Sequence, residues 1–184
     1  MAHITVPEGA PGIVGPMMAY PEAAKHLNGL AEHLLRGPSS LTPWEREVIA
    51  TFVSKGNDCY FCTNAHAATA RHLLGQGNEV VDQALADPGR APISEKLKGL
   101  LAIADKVRQG GRRVTDKEVA RARHEGADDE AIHDTVLIAA AFCMFNRYVD
   151  GLATWAPRDQ AAYDRTGKEL AEGGYVNSIP QRPQ

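Results

Sequence analysis

Thr42-Pro43-Trp44-Glu45-Arg46-Glu47 opens a helix, Gly56-Asn57 stops it, and Cys59-Tyr60-Phe61-Cys62-Thr63-Asn64-Ala65-His66 begins another. Thr42 and Glu45 stand at capping-box spacing with proline at the first helical position, a strong local start signal. Asn57 or Asp58 is expected to cap the second helix, which runs to about Leu74 and ends at Gly75. Cys59 then falls in its first turn. Cys59 and Cys62 stand at i and i+3, and Cys62 and His66 at i and i+4, so the three side chains share one helix face. Glu47 lies twelve positions before Cys59. Two thiols and an imidazole so grouped form a redox constellation first and a metal site second.

The rest of the chain repeats the helical theme. Leu27, Leu30, Leu34 and Leu35 have helical spacing in 20–36, and Gly37-Pro38 ends that segment. Further helices are expected over Glu79–Ala86 and 93–107, the latter with Leu97, Leu100, Leu101 and Ile103 on its apolar side. Thr115 and Glu118 form a second capping box, opening a short helix that stops at Gly126. A last long helix starts near Asp128 and runs toward Tyr148. No stretch shows sustained strand alternation, so the fold class is all-α, with about six to eight helices. Residues 1–19 are expected to form an extended amino-terminal arm and 173–184 a polar tail unable to pack alone. No repeat or linker divides the chain, so 1–184 is expected to be one domain.

Composition narrows the function classes. With 184 residues, 43% of them apolar, the chain is long enough for a true core. A formal net charge of −3 and no long basic run give no footprint for nucleic acid or an anionic membrane. The longest apolar run, 136–145, covers ten residues, well short of the ~20 of a membrane span, and is expected to be a buried core helix. The amino-terminal sequence has no basic region followed by an apolar one, so the expected compartment is the cytoplasm. There, a CxxC pair is more often redox-active or metal-binding than structural. Cys143, within the apolar run, is expected to be a small buried hydrophobe.

Glu47, Cys59, Cys62 and His66, spaced as Glu, eleven residues, Cys, two residues, Cys, three residues, His, resemble the signature of the alkylhydroperoxidase D-like superfamily. That superfamily includes the carboxymuconolactone decarboxylases. The surroundings resemble its peroxidase-related branch from about Pro16 to the Asn146-Arg147 pair. In one departure, Phe61 stands just before the second cysteine, where better-studied members carry another histidine. The resemblance implies a helical bundle in which Glu47, on the preceding antiparallel helix, reaches His66. Without it, Glu47 reads as a solvated helix residue.

The chemistry implied is thiol-dependent reduction of a hydroperoxide. Cys62 attacks, becomes a sulfenic acid and closes a disulfide with Cys59, and an external dithiol reductant or adaptor protein restores both, with no tightly bound cofactor. Cys62 is the expected attacking thiolate because His66 lies one turn below it, whereas Asp58 disfavours charge on Cys59. Glu47 and His66 handle the protons. The alternatives are a carboxymuconolactone decarboxylase-like enzyme, for which an intact CxxC has no use, and a non-enzymatic redox-sensing or metal-binding module. A zinc site on Cys59, Cys62 and His66 lacks a fourth ligand. His72, His124 and His133 are expected at the surface, and Asn146-Arg147 in a structural role. Trp44, Trp155 and Tyr163 are expected to serve packing or subunit contacts, and the chain to form a homo-oligomer, a trimer or hexamer.

Overall fold

The computed structural model describes residues 1–75 and 79–176. They form helices α1 (Val14–Ala19), α2 (Pro21–Arg36), α3 (Pro43–Gly56), α4 (Tyr60–Leu74), α5 (Glu79–Ala86), α6 (Glu95–Gln109), α7 (Asp116–His124), α8 (Asp129–Gly151) and α9 (Gln160–Gly173). One 3-10 turn, Gly111–Arg113, precedes α7, and no strand occurs among the described residues. Local chemistry sets the helix starts. Both capping boxes form: the Thr42 amide donates to Glu45 Oε2 at 2.9 Å and the Thr115 amide to Glu118 Oε2 at 2.9 Å. Ser94 and Asp128 accept from the amides of Leu97 and Ala131, at 3.1 and 2.7 Å.

Helix α3 is the centre of the bundle. Nine of its fourteen residues are buried, polar ones included, which distinguishes it from an amphipathic surface helix. It packs on α4, α6 and α8. Val48, Ile49, Val53, Leu97, Leu100, Ile138 and Phe142 are fully enclosed or nearly so, each side chain contributing about 1.5–3 kcal/mol by burial. On its other side α4 meets α9 through small residues. A Cβ on Gly167 would stand 2.7 Å from the Ala68 carbonyl carbon, so glycine sets this close approach.

Four expectations need correction. The arm 1–19 is not simply extended, because α1 forms within it and it docks on the chain after α8. The amides of His3 and Gly12 donate to the carbonyls of Leu152 and Trp155, at 2.9 and 2.8 Å. Gly12 has φ +51° and lies so close to the Phe61 ring that no side chain fits. The tail also packs at its start, where Gly174 and Tyr175 are buried; 177–184 lie outside the described residues. Cys143 is half-buried, with the Asn57 amide nitrogen 3.5 Å from its sulfur. Finally, neither Asn57 nor Asp58 caps α4: Cys59 holds the cap position, with no side-chain cap bond. Asp58 takes a left-handed conformation, φ +58°, and the Cys59 amide closes the end of α3 on the Ser54 carbonyl at 3.1 Å.

Candidate active site

The adjacent helices α3 and α4 bring the sequence-marked residues together. Glu47 projects from the middle of α3 and is fully buried, so its charge requires partners. Three groups supply them. Arg36 Nη2, at the end of α2, is 2.8 Å from Oε1, His66 Nδ1 is 2.8 Å from Oε2, and the Tyr175 hydroxyl donates to Oε1 at 2.6 Å. Burial pushes the Glu47 carboxyl up, but the His66 charge and hydrogen bond, Arg36 and Tyr175 outweigh it and hold it below the usual carboxylate range. Burial also works against the Arg36 charge, and Glu47 more than offsets it, leaving the guanidinium above its ordinary value.

This arrangement assigns the histidine tautomer. An ionised carboxylate only accepts, so His66 Nδ1 carries a proton directed at Glu47 Oε2. The Tyr175 oxygen lies 3.1 Å from the same nitrogen. Nε2 makes no hydrogen bond among the described residues and is the nitrogen left to exchange a proton. Phe142 meets the imidazole edge-on at 4.6 Å between ring centroids, fixing the ring from α8.

His66 and Cys62 line one cavity of about 100 Å³, together with apolar groups that include Ile13, Met17, Phe61 and Phe145. Cys59 lies behind it, fully buried and hydrogen-bonded to Cys62 and to the Asp150 carboxyl. The cysteines are free thiols. No hydrogen bond joins Cys62 to His66 among the described residues, which corrects the expected stabilisation of a resting Cys62 thiolate. The Cys62 thiol is instead pushed well above the ordinary thiol range, first by its hydrogen bond to Cys59, then by burial. Asn146 opposes that shift with a bond to Cys62. Cys62 therefore rests protonated, and its thiolate must be made when it is needed.

The remaining sequence candidates take definite places. Asn146 is buried, accepting from Asn57 at 2.9 Å and donating to the Ser54 hydroxyl at 3.0 Å, so it joins α3 to α8 while also touching Cys62. Arg147 is exposed and donates to the Cys143 carbonyl. Tyr163 is buried against Tyr60 and Phe61, whereas Trp155 is half-exposed and Trp44 packs on the core. His72 pairs with Asp164 of α9 at 2.9 Å; His124 and His133 sit beside acidic neighbours at the surface. Among the described residues no cluster of histidine, cysteine and carboxylate side chains could hold a metal ion. No described helix is long and apolar enough to cross a membrane.

Sequence reasoning missed Arg36 and Tyr175. Both are far from Glu47 along the chain, and neither lies in a motif. The proline-free, two-glycine approach to Tyr175 was the one available signal of a shaped turn.

The chain folds as a helical bundle with a buried carboxylate–imidazole pair beside a CxxC turn. Residues 21–87 match the family model of the carboxymuconolactone decarboxylase family. The fold is similar to that of an uncharacterized peroxidase-related protein from Silicibacter, at 25% identity and TM-score 0.74, covering 84% of this chain and 78% of that one. It is also similar to an alkylhydroperoxidase D core protein from Ralstonia eutropha, at 24% identity and TM-score 0.75, covering 86% and 81%. A protein of unknown function from Agrobacterium tumefaciens aligns at 22% identity and TM-score 0.66, covering 78% of this chain and 97% of that one. No curated protein matches the sequence. The chain is thus similar in sequence over residues 21–87 to the carboxymuconolactone decarboxylase family and similar in fold to peroxidase-related, alkylhydroperoxidase D-like proteins.

Proposed function

We propose that the protein is a thiol peroxidase that reduces small organic hydroperoxides through Cys62 and Cys59. The observation that carries this reading is the shared cavity: Cys62 and His66 line the same apolar space, while Glu47 holds His66 Nδ1 at 2.8 Å. His66 Nε2 takes the Cys62 proton, which a raised thiol does not release unaided. The thiolate attacks a peroxide oxygen, the O–O bond breaks, and the leaving alkoxide takes the proton from His66, giving an alcohol and a Cys62 sulfenic acid. Cys59 then attacks the Cys62 sulfur, water departs, and a disulfide forms. An external dithiol reduces it by exchange, releasing two protein thiols and its own disulfide.

The apolar lining supports a compact organic peroxide over a charged one. It contains no lysine or arginine among the described residues, which disfavours a lactone carboxylate as substrate. The proposal includes self-association, supported by an apolar groove of about 390 Å³ between α2 and α8, where Leu27, Met144 and Tyr148 lie at the surface. The test is steady-state consumption of tert-butyl hydroperoxide with dithiothreitol as reductant. Native protein is expected to turn over and Cys62→Ser to be inactive. Equal rates for the two would remove Cys62 from the reaction and end this reading.

A further inference from the structure

Tyr175 is the least anticipated member of the buried cluster, and its surroundings do more than fill space. Its backbone amide donates to Glu32 Oε2 at 2.6 Å. Gly174 before it has φ +70°, and a Cβ there would come within 2.5 Å of the Glu32 carboxylate. The turn after α9 is thus shaped around an α2 side chain so as to insert this ring. The ring stacks on the His66 imidazole, 5.9 Å between centroids and 17° between planes, and Arg36 Cζ lies 5.1 Å from its centre. Its hydroxyl then reaches Glu47 Oε1 at 2.6 Å and His66 Nδ1 at 3.1 Å.

We propose that Tyr175 is a positioning residue for the Glu47–His66 pair, delivered to the site by the turn that follows α9. This inference rests on the thiol peroxidase reading and adds a residue to it. The physical basis is the rotation of the Glu47 carboxylate. One oxygen, Oε1, is shared by Arg36 and Tyr175, and fixing it aims the other at His66 Nδ1. Arg36 also serves the Leu35 and Leu170 carbonyls, so alone it holds Oε1 from one side. The phenol supplies the second direction and keeps the imidazole plane parallel to its own. The departure at Phe61 leaves that position without a proton-handling group, and Tyr175 brings a hydroxyl to the same cluster by another route. The groups facing the phenol are Arg36 from α2, Glu47 from α3 and His66 from α4, Glu32 of α2 holds the backbone amide, and apolar Phe142 and Leu170 complete the cavity wall from α8 and α9.

The experiment compares native protein, Tyr175→Phe and Tyr175→Ala by three readouts. These are the rate of Cys62 oxidation by tert-butyl hydroperoxide, the pH profile of Cys62 alkylation by iodoacetamide, and the His66 tautomer from ring 15N NMR. Loss of a hydrogen bond to a charged group is expected to slow oxidation roughly tenfold or more in both variants. A carboxylate with one donor fewer holds the relay proton more tightly, so the acid limb of the alkylation profile is expected to move to higher pH. The Nδ1-protonated form is expected to lose its dominance. Tyr175→Phe with native rate, profile and tautomer, alongside a defective Tyr175→Ala, would show that only the ring matters and overturn the proposal. If native protein consumes no peroxide while the profile and tautomer still shift in Tyr175→Phe, the peroxidase reading fails and the positioning role stands. Should Tyr175→Phe not fold, Glu32→Ala, which removes the backbone anchor, is expected to shift the profile in the same direction; a folded Glu32→Ala protein with the native profile would overturn the proposal.

Discussion

Glu47→Gln tests the buried cluster most severely, because it keeps shape and removes charge. The amide oxygen can stay at the Oε1 position, retaining Arg36 and Tyr175, while its NH₂ group then faces His66 Nδ1, which carries a proton. Two donors cannot share that contact. The imidazole must move its proton to Nε2, the nitrogen needed as acceptor for Cys62, so peroxide reduction is expected to fall about two to four orders of magnitude. Stability falls as well. Removing one partner of a buried ion pair costs about 3–5 kcal/mol. Arg36 keeps two carbonyl partners and its side chain is 12% exposed, which argues for the lower end. At about 2–4 °C per kcal/mol for a chain of this size, melting is expected to drop by roughly 6–12 °C.

The pH dependence follows from the depressed carboxyl of Glu47. Its contribution is fully present above the ordinary carboxylate value and is lost as pH falls through the lower folded value. The gap between native and Glu47→Gln melting temperatures, followed by circular dichroism, is therefore expected to be constant near neutrality and to close in acid. Identical melting curves at neutral pH, or full peroxidase activity in the variant, would refute the reasoning.

Cys59→Ser is expected to complete one turnover and stop with a sulfenic acid on Cys62, detected as a dimedone adduct; an adduct on Cys59 in the converse Cys62→Ser protein, with none on Cys62 in Cys59→Ser, would exchange the two roles. Because Cys62 is pushed up, its alkylation by iodoacetamide in native protein is expected to keep accelerating above the pH at which a free cysteine levels off, and a plateau near neutrality would contradict the raised thiol. Gly167→Val drives a side chain into the α4 backbone and is expected to cost at least 1–3 kcal/mol by urea unfolding, whereas native stability would mean that α9 does not lie against Ala68. Light scattering at micromolar concentration is expected to give a mass several times 19.8 kDa, and a monomer would remove the subunit-contact role of the α2–α8 groove.

The legible parts of the chain were those whose physics is local. Thr42 with Glu45, Thr115 with Glu118, Gly75 and Asp128 mark helix ends within a few residues of their partners, and all behave in the structure as their chemistry dictates. Helix α9 escaped because its buried residues, Tyr163, Gly167 and Leu170, include a glycine whose value lies in closeness to α4 and which carries no apolar signal. Cys59 as cap was hidden because the left-handed turn at Asp58 uses the expected capping residues to finish α3. Glu47 and His66 were found through their spacing to the cysteines. Arg36 and Tyr175, which reach Glu47 from the end of α2 and from beyond α9, have no fixed spacing to betray them. The resting charge of Cys62 went the other way from the sequence expectation because Cys59 proved a closer partner than His66.

In the proposed reaction Cys62 and Cys59 are a dithiol that a hydroperoxide oxidises. Reduced protein treated with one equivalent of tert-butyl hydroperoxide, then alkylated and analysed by peptide mass spectrometry, measures this directly. The expected result is loss of two thiols per chain, a Cys59–Cys62 disulfide, one equivalent of tert-butanol and an unmodified Cys143. Recovery of Cys59 and Cys62 as free thiols, with the peroxide unconsumed, would contradict it.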